Sequence, residues 1–370
     1  MKILILSDIN SSHTKKWAIA LAQKGLQVAV FSMSQPTDDW YSRHHVQLLN
    51  SSEINKNKFQ SSSFSKASYL KLMPQLKAAI AEFKPQLIHA HYASSYGFLG
   101  ALSGFHPFII SAWGSDVMDF PNKNILNKKI LKYNFKKADQ LLATSEILIK
   151  TISKFSKKTV SKIAFGIDSD YFKPQEVQSI FPTNAIVIGT VKSLEEIYGI
   201  DILIKSFKKV LEKTSGKLIK LLIVGGGSKE NEYKALTDKL NITDHVVFTG
   251  KVEYDQVLKY HNMIGIFVNV SRNESFGVSV LEASACEKPV IASNIGGLIE
   301  VVLNNETGLL VESENIDATA SAIGHLVENE ILRKQMGKNG RKFVQKEFEF
   351  EKNVNDTIAI YQELIKKHKA

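Results

Sequence analysis

From its first residues the chain alternates short apolar runs with stretches of helical period. Apolar runs fall at 3–7, 28–31, 87–91, 108–113 and 140–144, with helix-spaced apolar positions at 15–23 and after each later run. Runs of this length, rich in Val, Ile and Leu and bounded by polar turns, predict strands buried on both faces. Strands separated by helices predict βαβ units and a parallel sheet. The stretch 32–66 is polar, and within it 50–66 is dense in Ser and Asn, which predicts a long mobile loop. The alternation pauses at 165–174, where Gly166 and Pro174 fit a hinge, and restarts with runs at 185–191, 221–227, 246–250 and 264–270. The pattern divides the chain into a first lobe at 1–175, a second at 176–348 and a closing helical run at 349–370. No repeat of solenoid period is visible.

Length agrees with this division, because 370 residues are too many for one ordinary core. Hydrophobic residues make up 44% and charged residues 23%, a globular balance, and no apolar run approaches the 18 or so residues that span a bilayer. The opening Met1 to Asp8 is short and ends in an acid, so it reads as a first strand and not a signal peptide. A single cysteine, Cys286, excludes an internal disulfide framework and points to a reducing cytoplasm; a buried structural thiol is the expected role.

Charge changes the picture more than composition does. The net charge is +10, and residues 1–180 hold 23 Lys and Arg against 12 Asp and Glu, leaving 24 against 25 in the remainder. Much of the excess lies between Lys123 and Lys162. There Lys128, Lys129, Lys132, Lys136 and Lys137 alternate with Ile125, Leu126, Ile130, Leu131 and Phe135 at helical spacing. The ordinary reading is a core-facing stripe with a solvated lysine face. The functional one is a docking surface for anionic lipid headgroups or a lipid-linked phosphate, at the inner face of a membrane. Nucleic acid is not an expected partner, since no helix-turn-helix, RNA-recognition or zinc pattern accompanies the charge.

The chemistry concentrates around Glu274 and Glu282, eight positions apart across a strand end, a polar turn and the start of a helix. Glu274 falls in the turn, and Glu282 falls at i+4 from Val278, so both can face the carboxyl end of a strand, where open α/β sheets bind ligands. Between them Ser275, Phe276, Gly277 and Val278 offer backbone N–H groups and the positive end of a helix dipole, an anion site suited to a pyrophosphate. Gly277 lets the backbone approach a ligand closely. A carboxylate at Glu282 suits a ribose diol. A nucleotide-sugar would satisfy all of these groups. No dinucleotide fingerprint follows the first strand, where Ser7 to His13 stand, which argues against a dehydrogenase. No Asp-x-Asp or clustered His and Cys spacing predicts a metal.

The run Glu274-Ser-Phe-Gly-Val-Ser-Val-Leu-Glu282, followed by Lys288-Pro-Val-Ile-Ala-Ser-Asn-Ile-Gly-Gly-Leu-Ile-Glu300 and by Asn305-Glu-Thr-Gly-Leu-Leu-Val311, resembles the signature of the group 1 retaining glycosyltransferases. The resemblance covers roughly 185–345. It implies the GT-B fold, two Rossmann-like doubly wound lobes facing a central cleft, with the last helix crossing back to the first lobe. It implies transfer of a sugar from a nucleoside diphosphate-sugar, UDP-sugar favoured, to a glycan or lipid-linked acceptor in bacterial surface polysaccharide or lipopolysaccharide synthesis. No cofactor and no metal are expected, lysine and helix amides neutralising the leaving diphosphate.

By the same resemblance, Glu274 lies near the donor sugar, Glu282 on the ribose, and the backbone around Val252 near the base. The stretch from Gly189 through Lys192 to Gly199 is similar to the family's phosphate loop, in which an Arg and a Lys are usual; here Lys192 is the candidate cation and Tyr198 stands where the second is expected. In the first lobe Ser111-Ala-Trp113-Gly-Ser-Asp116 resembles the segment facing the donor sugar, with Trp113 where His is common and Asp116 as its polar group; Asp116 equally suits a structural cap. His13 and Trp113 are acceptor-side candidates. A GT-B sugar-nucleotide epimerase and a non-catalytic nucleotide-binding relative remain as alternatives.

Overall fold

The computed structural model describes residues 1–49, 67–214 and 216–369; the Ser- and Asn-rich stretch 50–66 lies outside them. The chain forms two compact units, Met1–Phe165 together with Lys352–Ala370, and Gly166–Glu351. In the first unit the strands are β1 (Lys2–Leu6), β2 (Gln27–Phe31), β3 (Val46–Leu48), β4 (Leu87–His91), β5 (Phe108–Ala112), β6 (Gln140–Ala143) and β7 (Val160–Lys162). They pair in the order β3-β2-β1-β4-β5-β6-β7, parallel throughout. β4 and β5 are buried at every position. Such strands need helices over both faces, which the crossover segments supply.

The second unit repeats the plan with β8 (Ile186–Val191), β9 (Ile219–Val224), β10 (Val246–Phe248), β11 (Ile266–Asn269), β12 (Val290–Ser293) and β13 (Gly308–Val311), in the parallel order β10-β9-β8-β11-β12-β13. The strand order reverses between β8 and β11. Loops that leave the carboxyl ends of these two neighbours diverge, and the crevice between them is where doubly wound sheets take ligands.

Several sequence expectations move. The segment 166–175, assigned by sequence to the end of the first lobe, packs in the second unit. Its carbonyls are taken up there: Arg341 donates to Ser169 O and Phe172 O at 3.1 Å each, and Asn262 Nδ2 donates to Lys173 O at 3.0 Å. The closing helix, Phe350–Lys369, enters the core of the first unit, where Tyr361 is fully buried and its hydroxyl lies 2.6 Å from His89 Nδ1. The basic helix spans Ile125–Lys137, capped by Asn124 Oδ1 accepting from Asn127 N, and buries Ile130, Leu131 and Phe135 as expected. Ile125 and Leu126 do not join that stripe. They project from the first turn, 76% and 56% exposed, because the buried arc is completed by Asn127 and Asn134.

Candidate active site

In the second unit Lys192 and Glu274 come from the loops after β8 and β11, the two strands that flank the reversal of strand order. They form an ion pair, Lys192 Nζ to Glu274 Oε2, with side chains 14% and 11% exposed. Lys192 Nζ also sits over the Tyr198 ring, 4.4 Å from its centroid.

Glycines set this geometry from three sides. At Gly296, φ is +50° and a Cβ would collide with the Glu274 carbonyl oxygen, while the next residue, Gly297, donates its N–H to that oxygen at 2.9 Å. A Cβ at Gly227 would meet Leu194 backbone atoms, and Leu194 N donates to Gly226 O at 3.0 Å. The Gly225-Gly226-Gly227 turn therefore serves to bring the Lys192 loop down onto the end of β9. Gly277 adopts φ +107°, accessible to glycine at little cost, and starts the helix Val278–Ala285 with no side-chain cap. Helix-start amides lack intrahelical acceptors and carry the positive end of the dipole, as an anion site requires.

Not every residue in this stretch offers a side chain. Phe276 is buried, its ring 5.9 Å from that of Phe348, so its side chain is withdrawn into the core; Ser275 and Val278 are partly exposed. Gly189 does not reach the site. It lies within β8, buried, where a Cβ would sit 2.7 Å from Ile264 Cγ1 and 2.8 Å from Leu222 O, so it is a packing glycine and not a phosphate contact. Val252 lies in the loop between β10 and the helix Tyr254–Met263, partly exposed.

Glu282, 6% exposed, faces that same helix: its Oε2 lies 3.3 Å from Nε2 of the fully buried His261. The geometry fits the His261 Nε2–H donating to the carboxylate. Tyr171 and Tyr254 lie with near-parallel rings 6.4 Å apart between centroids. Burial, and next the Glu282 charge, raise the Tyr254 hydroxyl's pKa; Tyr171 is raised first by burial, with Asp255 and Glu282 adding to it. Arg272, in the loop with Glu274, donates to both oxygens of Asp201 at 2.9 and 3.0 Å, to Glu314 and to Glu196 O. The sequence reading missed His261 and Arg272, since neither belongs to a local motif. Cys286 is buried, and burial pushes its thiol up to about 12, an inert thiol.

The first-unit candidates occupy a different environment. Asp116 is fully buried, with Oδ2 accepting from Ala93 N at 2.6 Å and Oδ1 from Gly114 N at 2.8 Å and Trp113 N at 3.1 Å. Its carboxylate organises the loop after β5 from within, which corrects its expected place among groups that meet the donor sugar. Burial raises it to about 6, against the lowering by those backbone donors. His13 stacks on Phe165, with ring centroids 4.1 Å apart, and lies edge-on to Trp113 at 5.7 Å; both are partly exposed. Beneath them His89 and His91 line a cavity of about 20 Å³, room for about one water molecule and not for a sugar.

These histidines make the first unit acid-sensitive. Burial lowers His89 to about 3 and His91 well below its ordinary 6.5. Because the folded state then binds fewer protons than the unfolded chain below pH 6.5, their contribution is complete above that pH and is lost as the pH falls. Asp116, raised from 3.8 to about 6, acts in the opposite sense between those values. With His13 also lowered to about 4, first by burial and next by the Lys16 charge, three histidines outweigh one carboxylate, so the unit should lose stability as the pH falls from 6.5 towards 4. Thermal unfolding across that range checks this; a flat midpoint would contradict it.

Among the described residues no group of three or more His, Cys, Asp or Glu is placed to hold a metal ion, and no helix is long and apolar enough to cross a membrane.

Two doubly wound parallel units, the second with a Lys–Glu pair and a buried Glu in the loops and helix at its sheet reversal, give the chain the GT-B architecture. The family model for glycosyl transferases group 1 matches residues 172–343 and that for glycosyl transferase 4-like matches residues 2–145, so the chain belongs to the group 1 glycosyltransferases. It is 29% identical over 281 residues to a glycosyltransferase of Methanocaldococcus jannaschii, covering 75% of each chain. It is 32% identical over 225 residues to the capsular polysaccharide biosynthesis glycosyltransferase CapM of Staphylococcus aureus, covering 57% of this chain and 58% of CapM. The crystal structure of Anabaena HepE with UDP and glucose shares the GT-B fold at a TM-score of 0.78 and 18% identity, over 98% of this chain and 99% of that one.

Proposed function

We propose that this glycosyltransferase moves a sugar, with retention at the anomeric carbon, from a nucleoside diphosphate-sugar to a glycan or lipid-linked acceptor. The observation that carries the reading is the Lys192–Glu274 pair beside the uncapped start of the helix that also bears Glu282. In this reading Lys192 and the amides of Phe276 to Val278 bind the diphosphate, Glu282 accepts from the ribose diol, backbone near Val252 meets the base, and Glu274 meets the sugar hydroxyls. Lysine and helix amides take the leaving-group charge with no metal. Departure of the diphosphate and attack of the acceptor hydroxyl on the same face pass through an oxocarbenium-like state. The protein's task is then to stabilise the diphosphate and position the acceptor.

UDP is the favoured nucleotide, supported by its presence with HepE. CapM supports a setting in bacterial surface polysaccharide or lipopolysaccharide synthesis. The acceptor is assigned to the first unit, on the His13 and Trp113 side. The lysine face of Ile125–Lys137, with Ile125 and Leu126 exposed among its charges, supports a peripheral contact with an anionic membrane from the cytoplasm.

Calorimetry with UDP, GDP and ADP tests the donor site. One of the three should bind with micromolar affinity and the others more weakly. Absence of binding by all three would remove the donor reading and favour a non-catalytic relative.

A further inference from the structure

The loop 192–199 contains one cation, Lys192, and ends in Tyr198 and Gly199. Lysine is a point charge on a flexible stem and lacks the planar fork with which arginine grips a phosphate. Its usefulness for a diphosphate therefore depends on how narrowly its ammonium is confined. Two groups confine it: the Glu274 carboxylate and the face of the Tyr198 ring.

The ring is itself held in place. A Cβ at Gly199 would collide with the Val270 carbonyl oxygen, Arg272 N donates to Ile197 O at 2.8 Å, and Arg272 Nη1 donates to Glu196 O at 2.6 Å. The turn carrying Tyr198 is thus fastened to the same loop that carries Glu274. Ammonium, ring and carboxylate form one assembly. When the carboxylate is drawn away by sugar hydroxyls, the aromatic face is the partner that stays.

We propose that Tyr198 is a positioning residue of the donor site, its ring confining the Lys192 ammonium where it meets the diphosphate, so that one fixed cation serves in this loop. This rests on the donor reading given above. An aromatic face attracts an ammonium through its quadrupole, and the attraction grows as water is excluded, as at these half-buried side chains. The hydroxyl of Tyr198 has no part in it.

The experiment is a double-mutant cycle read by calorimetry with UDP, GDP and ADP, using whichever the wild type binds. Tyr198→Leu should weaken binding about three- to tenfold, while Tyr198→Phe stays within about twofold of wild type. In a Lys192→Ala background Tyr198→Leu should change affinity by less than about twofold, because there is no ammonium left to confine. Wild-type affinity in Tyr198→Leu, an equal loss in Tyr198→Phe, or an undiminished loss in the Lys192→Ala background would each overturn the proposal. Unfolding midpoints of the variants separate a local effect from a folding one. If the wild type binds none of the three nucleotides, the donor reading itself has failed, which is distinguishable because no variant is needed to see it.

Discussion

Glu274→Ala is expected to lower sugar transfer by about a hundredfold or more, while affinity for the free nucleoside diphosphate holds or rises. The carboxylate is 11% exposed and held on the Lys192 ammonium, with its backbone fixed by Gly296 and Gly297. In the proposed donor reading, an acid so fixed meets hydroxyls of a sugar that gains positive charge as its diphosphate leaves, and so interacts more strongly in the transition state than in the ground state. Removal of one such preorganised group typically costs about 10²–10³ in rate. The nucleotide does not share the loss, because the Tyr198 ring still confines the Lys192 ammonium while the carboxylate that competes with phosphate for it is gone. Single-turnover rates and nucleotide titration of the same variant separate the two quantities. An equal loss in both would remove Glu274 from the sugar site.

Glu282→Ala should act in the opposite proportion, weakening nucleotide binding about ten- to a hundredfold. In the proposed donor reading the 6% exposed carboxylate accepts from the ribose diol, and a charge-assisted acceptance worth about 1.5–3 kcal/mol in all corresponds to that loss. The variant also strips His261 of its partner at Nε2, at a cost to stability of about 1–3 kcal/mol, so its unfolding midpoint should fall as well. Glu282→Gln retains an acceptor for ribose and should recover part of the affinity. Full affinity in the alanine variant would end the ribose assignment.

The basic helix and Asp116 show how far residue patterns reach. The lysine spacing located a helix whose core side holds Ile130, Leu131 and Phe135, but the same spacing placed Ile125 and Leu126 on that side, and they face out. Periodicity ranks positions around an axis; it does not say where the axis begins to touch its neighbours. For Asp116, sequence left a ligand-facing acid and a cap equally open. The choice was made by Ala93 N, more than twenty residues away, which reaches its carboxylate in the folded unit.

What the sequence by itself determined is most of the parallel strands, though not β3, β7, β12 or β13, with the helices between them, and the placing of Glu274 and Glu282 on either side of one turn. These follow from apolar runs, caps and an eight-residue spacing, all local quantities encoded within a few neighbours. The tertiary structure decided the rest. It set Tyr198 over Lys192, Lys192 on Glu274 across 82 positions, and His261 behind Glu282, and it made Gly189 a packing residue. Apart from the Tyr198–Lys192 contact, which lies within one loop, each is a contact between loops or helices that come together only when strands distant in sequence lie side by side. One residue's spacing carries no record of which distant side chain will fill the space next to it.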